Sequence, residues 1–185
     1  MARFLFLLLA AAAASAEVKV EVVTTAGRIV AVLDDAKAPA TTANFLRYVD
    51  ERLYDEGSFH RTVTPGNQPQ SPVKIEVVQA SARSRDGRFG AIPLERTSRT
   101  GLRHVNGAIS MARGAPDSAT SDFFICIGDQ PELDFGGKRN PDGQGFAAFG
   151  RVTEGMDVVR KIQQSPAEGQ SLKPPVVIQR VRRLQ

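Results

Sequence analysis

The stretch NGAISMARGAPDSATSDFFICIGDQPELD, Asn106 to Asp134, holds two short runs of strand-forming residues, 107–112 and 122–127, with a Gly/Pro/Asp cluster between them. β-Branched and aromatic side chains suit a pleated surface, and the cluster supplies turn chemistry, so two strands joined by a loop are predicted. What the neighbouring segments do decides the architecture around them.

Further short strand candidates lie upstream at 58–63 and 75–80 and downstream at 146–151. VKVEVV (18–23) alternates apolar and polar residues, and RIVAVLD (28–34) follows the turn signal Thr25-Ala26-Gly27, which predicts an opening hairpin. PPVVIQRVRRL closes the chain as a last strand after Pro174-Pro175. Two helices are expected. Pro39 suits a first turn and Phe45, Val49 and Leu53 recur at helical spacing over roughly 40–53, while Met156, Val159 and Ile162, with Val158, follow Gly155. Two helices provide too few crossovers for a parallel sheet, so the sheet should be antiparallel. About eight strands suit a closed barrel, which removes exposed edges. Periodicity alone admits a two-sheet sandwich nearly as well.

The 185 residues begin with MARFLFLLLAAAASA, one early positive charge before an apolar run that ends in small residues. That pattern predicts a signal peptide over 1–16, with Ala14-Ser15-Ala16 as the cleavage pattern, a mature chain from Glu17, and export to the periplasm or beyond. Residues 17–185 then form one domain, large enough for a real core. Stable membrane insertion is not expected, because the apolar run is short and rich in alanine. Cys126 is the only cysteine, so no intramolecular disulfide can form, and it reads as a small buried hydrophobe.

Net charge is +4, or +3 without Arg3, a mild basicity. Its densest part, Arg83, Arg85, Arg88, Arg96, Arg99 and Arg103, has only Phe89 interleaved, which argues against a nucleic-acid surface and for a solvated loop. His60 and His104 lack a Cys or carboxylate cluster at ligand spacing, so no metal site is expected. No G-x-S-x-G elbow marks a serine hydrolase. The DFG in LDFGGK (Leu133–Lys138) reads as a turn, since the other kinase motifs are missing, and GQGFAAFG (Gly143–Gly150) reads as tight-turn glycines entering a strand.

FHR (Phe59–Arg61), the SMA and S-x-FFI motifs within Asn106–Asp134, and FAAFGRVTEGMDVVRKI (Phe146–Ile162) together resemble the cyclophilin family of peptidyl-prolyl cis-trans isomerases. The opening hairpin, the APATTANFLRYV helix and the terminal strand fall in the family's order. The resemblance implies a mainly β fold, a closed eight-stranded antiparallel barrel capped by two α-helices with a filled interior, and so favours barrel over sandwich. It implies an enzyme that acts without metal or cofactor on proline-containing polypeptides, expected as a monomer that binds no nucleic acid.

The same resemblance makes Arg61 the catalytic arginine. It implies that Phe124 floors the proline pocket, that Met111 and Ala112 belong to the strand lining the groove, that Arg113 offers its backbone to substrate, and that Gln79 stands behind Arg61. Leu133 keeps the family's apolar type, and substrate contact is also expected of Val77, Asp122 and Phe146. The sequence departs from the family at several of these positions. Glu76 and Val77 replace bulky Phe and Met, Asp122 replaces a glutamine, Glu132 stands where tryptophan is frequent, and Phe146 stands where histidine is frequent. Asp122 is expected to pair with Arg61, with Arg113 competing for it. The connections Thr64–Lys74 and Phe135–Gly145 are longer than usual. Isomerisation during folding of exported proteins is the leading expectation. The alternatives are a catalytically weak proline-segment binding module or chaperone and, less favoured, a small-molecule carrier barrel.

Overall fold

The structure, a computed structural model, describes residues 17–84 and 86–184; the expected signal peptide at 1–16 and Arg85 lie outside the described residues. The expected hairpin forms from β1 (Val18–Thr24) and β2 (Gly27–Leu33), paired from Val18↔Leu33 to Thr24↔Gly27. The Thr24 hydroxyl fixes the turn, donating to the Gly27 carbonyl and accepting from the amides of Ala26 and Gly27.

The strands that follow are β3 (Ser58–Val63), β4 (Val77–Ser81), β5 (Ala108–Met111), β6 (Phe123–Cys126) and β7 (Ala147–Glu154). A two-residue β8 (Ala167–Glu168) then turns into a long β9 (Ser171–Leu184). Eight of them form a ring in the order β1-β2-β7-β5-β6-β4-β3-β9, closed by β1 pairing with β9, every pair antiparallel. The barrel is the outcome, not the sandwich. The β8–β9 hairpin was not predicted, and it carries β9 back three residues before the expected start at Pro174.

The interior is filled by aromatic rings. Phe45, Phe59, Phe123, Phe149, Tyr48 and Tyr54 are each at most 1 % exposed and belong to one apolar cluster. Phe123 meets Phe45 and Tyr54 edge to face, with ring centroids 5.4 Å apart in both cases. Such packing fills the interior of the barrel with side chains, as the family resemblance implies.

Helix α1 (Pro39–Asp50) packs against β7 and β9, and α3 (Met156–Gln163) against β2, β3 and β4. A single turn, α2 (Thr97–Thr100), lies between them in the chain. No side chain of its own caps α1; instead the Glu95 carboxylate accepts the amides of Ala40 and Thr41 at 3.1 and 2.8 Å and the Thr41 hydroxyl at 2.6 Å. A carboxylate there satisfies orphan donors and suits the positive end of the helix dipole. The arginine-rich loop thus holds α1 through Glu95, while Arg83, Arg88, Arg99 and Arg103 face solvent as expected. Helix α3 is preceded by Gly155, whose φ of 89° and whose closeness to the Arg28 carbonyl, 2.3 Å from where an added Cβ would lie, leave no room for another residue.

Replacing Phe123 with alanine should lower unfolding free energy by about 3–5 kcal/mol, read as a reduced urea midpoint, because a large ring leaves a filled core. Phe135→Ala, at a side chain 46 % exposed, should change it by no more than about 0.5 kcal/mol.

Candidate active site

Successive side chains of a strand point to opposite faces, and in β6 both faces are apolar. Phe123 and Ile125 enter the barrel interior, whereas Phe124 and Cys126 join a second, smaller cluster with Val63, Ile75, Val77, Ala108 and Leu133 on the outer face. Phe124 sits at the centre of this outer cluster. It is flanked in register by Gln79 of β4 and Ser110 of β5, and Phe146 meets it edge to face at 5.4 Å.

The ring of Phe124 is backed by a polar network. His104 stacks on it with centroids 5.9 Å apart, and the imidazole is held between Asp134 Oδ1, 2.7 Å from Nδ1, and the Ser110 hydroxyl, 2.9 Å from Nε2. Ser, His and Asp do come together here, yet Ser110 is 0 % and His104 1 % exposed, so the hydroxyl cannot meet a substrate. The network props the aromatic floor. Burial pushes the Asp134 carboxyl up, but hydrogen bonds from the ring and backbone of His104 outweigh it and hold the group below its usual range.

A bulge between Phe59 and Arg61 re-aims β3. In an unbroken strand these two residues would share a face; the irregularity at His60 leaves Phe59 in the interior and turns Arg61 to the outer side. There the guanidinium is held by two neutral amides. Its Nη1 donates to Gln79 Oε1 at 2.9 Å, and its Nε and Nη2 donate to Gln170 Oε1 at 2.9 and 2.6 Å. Three of the five guanidinium N–H bonds are thereby used, and two are left for a ligand. Burial lowers the Arg61 pKa, and repulsion from Arg139 lowers it further.

Arg61, Gln79, Phe124 and Phe146 line a cavity of about 280 Å³, joined by Val77, Ala112, Arg113 and Leu133. Eight of the expected site residues are therefore brought together. Met111 is not among them: it is 1 % exposed within the barrel interior, because the strand pleat sends it opposite to Ser110. Asp122 does not line the cavity either, and the expected pair with Arg61 does not form. Its Oδ2 accepts the Gln79 Nε2 at 3.3 Å, an arrangement that turns the Gln79 carbonyl toward Arg61. Arg113 does not compete for Asp122. Its side chain, 1 % exposed, makes a two-pronged pair with Asp142 at 2.7 and 2.9 Å, which lowers the Asp142 carboxyl to about 2.

The departures at 76 and 132 also point away from the cavity. Glu76 accepts Gln163 Nε2 at 2.9 Å, and Glu132 accepts the Lys138 amide at 2.8 Å. Ile75, Arg139 and Asn140 complete the lining and were not expected from the sequence. Nor was Gln170, whose signal lay in the unread β8–β9 hairpin: Ser171 pairs with Arg61 across the sheet. Burial pushes the Cys126 thiol well up, in keeping with an inert apolar residue. Among the described residues there is no cluster of His, Cys, Asp and Glu suited to a metal ion, and no helix long and apolar enough to cross a membrane.

A family model described as cyclophilin type peptidyl-prolyl cis-trans isomerase/CLD matches residues 18–183. The chain is 41 % identical over 145 residues to peptidyl-prolyl cis-trans isomerase cyp18 of Streptomyces antibioticus, covering 78 % of this chain and 82 % of the relative. It is 40 % identical over 152 residues to peptidyl-prolyl cis-trans isomerase A of Dickeya dadantii, covering 80 % and 73 % of the two chains. The crystal structure of a Cryptosporidium parvum cyclophilin type peptidyl-prolyl cis-trans isomerase superposes with a TM-score of 0.74 at 18 % identity, over 92 % of this chain and 99 % of that one, which establishes likeness of fold.

Asp134→Asn should destabilise the protein at neutral pH, and the difference should fade in acid. A carboxyl whose pKa is lowered by folding contributes stability above its unfolded pKa and loses it as pH falls through the folded value. Urea midpoints of both proteins should therefore begin to converge below about pH 4 and draw together as pH falls through the lowered folded value. A constant gap from pH 7 to pH 3 would show that Asp134 acts by shape alone.

Proposed function

The chain belongs to the cyclophilin-type peptidyl-prolyl cis-trans isomerase family and is a peptidyl-prolyl cis-trans isomerase, and from this premise we propose that it works on exported polypeptides, with Arg61 as its catalytic residue and Phe124 as the floor of its proline pocket. The observation that carries the site assignment is the guanidinium of Arg61, fixed by Gln79 and Gln170 beside an apolar cavity floored by Phe124.

Amide resonance opposes rotation with a barrier of about 18–20 kcal/mol, while the two X-Pro isomers differ by only about 0.5–1 kcal/mol. Only the barrier needs lowering. As the bond twists, the prolyl nitrogen becomes pyramidal and its lone pair is released from the carbonyl. A fixed N–H aimed at that lone pair stabilises the twisted form more than the planar one. Arg61 has two N–H bonds left for this, and its hold by neutral amides leaves its charge uncancelled.

An uncatalysed rate of about 0.01 per second raised to about 1000 per second requires roughly 7 kcal/mol of selective stabilisation. One hydrogen bond contributes only part of this. The remainder falls to the apolar wall of Phe124, Phe146, Leu133 and Val77, which would grip the ring while the preceding peptide turns. No proton transfer enters the reaction, so a group that stays protonated serves better than a histidine.

Export rests on the composition of residues 1–16, with their apolar run and small-residue end. Protein recovered from the envelope fraction of the producing cells should have the intact mass of a chain starting at Glu17; an uncleaved mass would overturn this part of the proposal. For the site, Arg61→Ala should lower turnover of an X-Pro peptide at least about tenfold in a folded protein. Gln170→Ala should lower it severalfold by releasing the guanidinium, with KM nearly constant. Unchanged exchange rates in an NMR assay of both variants would remove Arg61 from the mechanism.

A further inference from the structure

Three guanidinium groups, of Arg61, Arg113 and Arg139, line the one cavity that holds Phe124. Only one of them is neutralised there by a carboxylate. Asp142 pairs with Arg113, whereas Arg61 is held by glutamine amides and Arg139 by uncharged acceptors. The two hydrogens of Arg139 Nη1 are shared among three acceptors, Gln68 Oε1 at 2.8 Å, Ser71 Oγ at 2.7 Å and the Val73 carbonyl at 2.6 Å. Its Nε and Nη2 have no acceptor among the described residues.

Arg139 also borders a second depression, walled by Asn67, Gln68, Pro69 and Gln170, so it stands where the proline cavity continues outward. Its charge is felt at Arg61, whose pKa it lowers. Two partly buried cations facing one cavity through neutral partners create a field that an anion would relieve. A guanidinium with one edge anchored and another edge open is suited to a carboxylate, which it can bind through two parallel N–H bonds.

We propose that Arg139 is a specificity-determining residue that selects proline segments bearing a glutamate or aspartate side chain within two residues of the proline. This deepens the isomerase reading of the same site and rests on it. The anchor to Gln68, Ser71 and Val73 makes the residue rigid before substrate arrives, so little side-chain entropy is lost on binding.

The test uses the full chain and C-terminally amidated peptides with Glu, Gln or Lys placed one or two positions on either side of a single proline; amidation removes the terminal carboxylate as a second source of the same chemistry. At low salt, kcat/KM for Glu should exceed that for Gln by about fivefold to tenfold in at least one position, with Lys below Gln. The advantage should shrink to less than about twofold at about 0.5 M salt and in Arg139→Gln, and Arg139→Lys should restore part of it. The salt dependence of the unmodified protein reads the effect even if Arg139→Gln loosens the loops that Arg139 ties together. Equal rates for Glu and Gln at all four positions would overturn the proposal, as would an advantage that persists in folded Arg139→Gln. Calorimetry with the same peptides separates this from the parent reading: selective binding of Glu peptides that are not isomerised would leave Arg139 as proposed and strike the catalytic role of Arg61.

Discussion

A pleated strand must send neighbouring side chains to opposite faces, and β6 places an aromatic ring on each. Phe123 is part of the barrel's interior and Phe124 is the floor of the outer cavity, so one strand serves two apolar clusters. The site therefore needs no mobile loop for its base. Any shift of β6 by one residue would turn all four of its side chains to the opposite face and misplace both rings among their neighbours, which ties the geometry of the cavity to the stability of the barrel. The same constraint explains why Met111 lies inside while Ser110 and Ala112 face outward beside Phe124.

Against that rigid floor the charged part of the site is built from neutral supports. A carboxylate partner would hold Arg61 more tightly than an amide, but it would cancel the positive field that the guanidinium projects into the cavity. Gln79 and Gln170 fix the guanidinium without doing so. The nearby carboxylate of Asp122 is set one step back, accepting from the amide of Gln79 and so choosing which end of that amide faces Arg61. Orientation is conveyed through the glutamine while the negative charge stays behind it.

The hairpin, the two larger helices and most strands were legible because their signals are local: alternation over 18–23, helical spacing from Phe45 to Leu53, turn residues between runs. Closure into a barrel was not local, and periodicity alone left the sandwich open until the family resemblance was taken into account. Within the site, single motifs such as FHR and FFI marked Arg61 and Phe124, and both line the cavity. What escaped were residues whose importance arises from contacts far along the chain. Gln170 lies 109 positions from the guanidinium it holds, and Arg139 reaches Gln68 across 71 positions. Asp122 stands one residue further from Arg61 than its place in the motif suggests for a related reason, because Gln79, 43 positions away in the chain, lies between them.

The two long connections gain meaning once these distant contacts are joined. Asn67, in the first, accepts the Gln170 side-chain amide through its backbone carbonyl at 3.1 Å and donates to the carbonyls of Thr62 and Gly169. Gln68 and Ser71, in the same connection, bind Arg139 of the second. The first connection thus supports the holder of Arg61 on one side and anchors a second cation of the cavity on the other. Loop residues are costly to order, and a connection held only at its ends would leave its tip free to move. Here hydrogen bonds tie the two loops to each other through Arg139 and tie the first of them to Gln170, which holds Arg61, so neither connection trails from the site. A shorter connection could still support Arg61 from the barrel, but it would leave Arg139 without a platform.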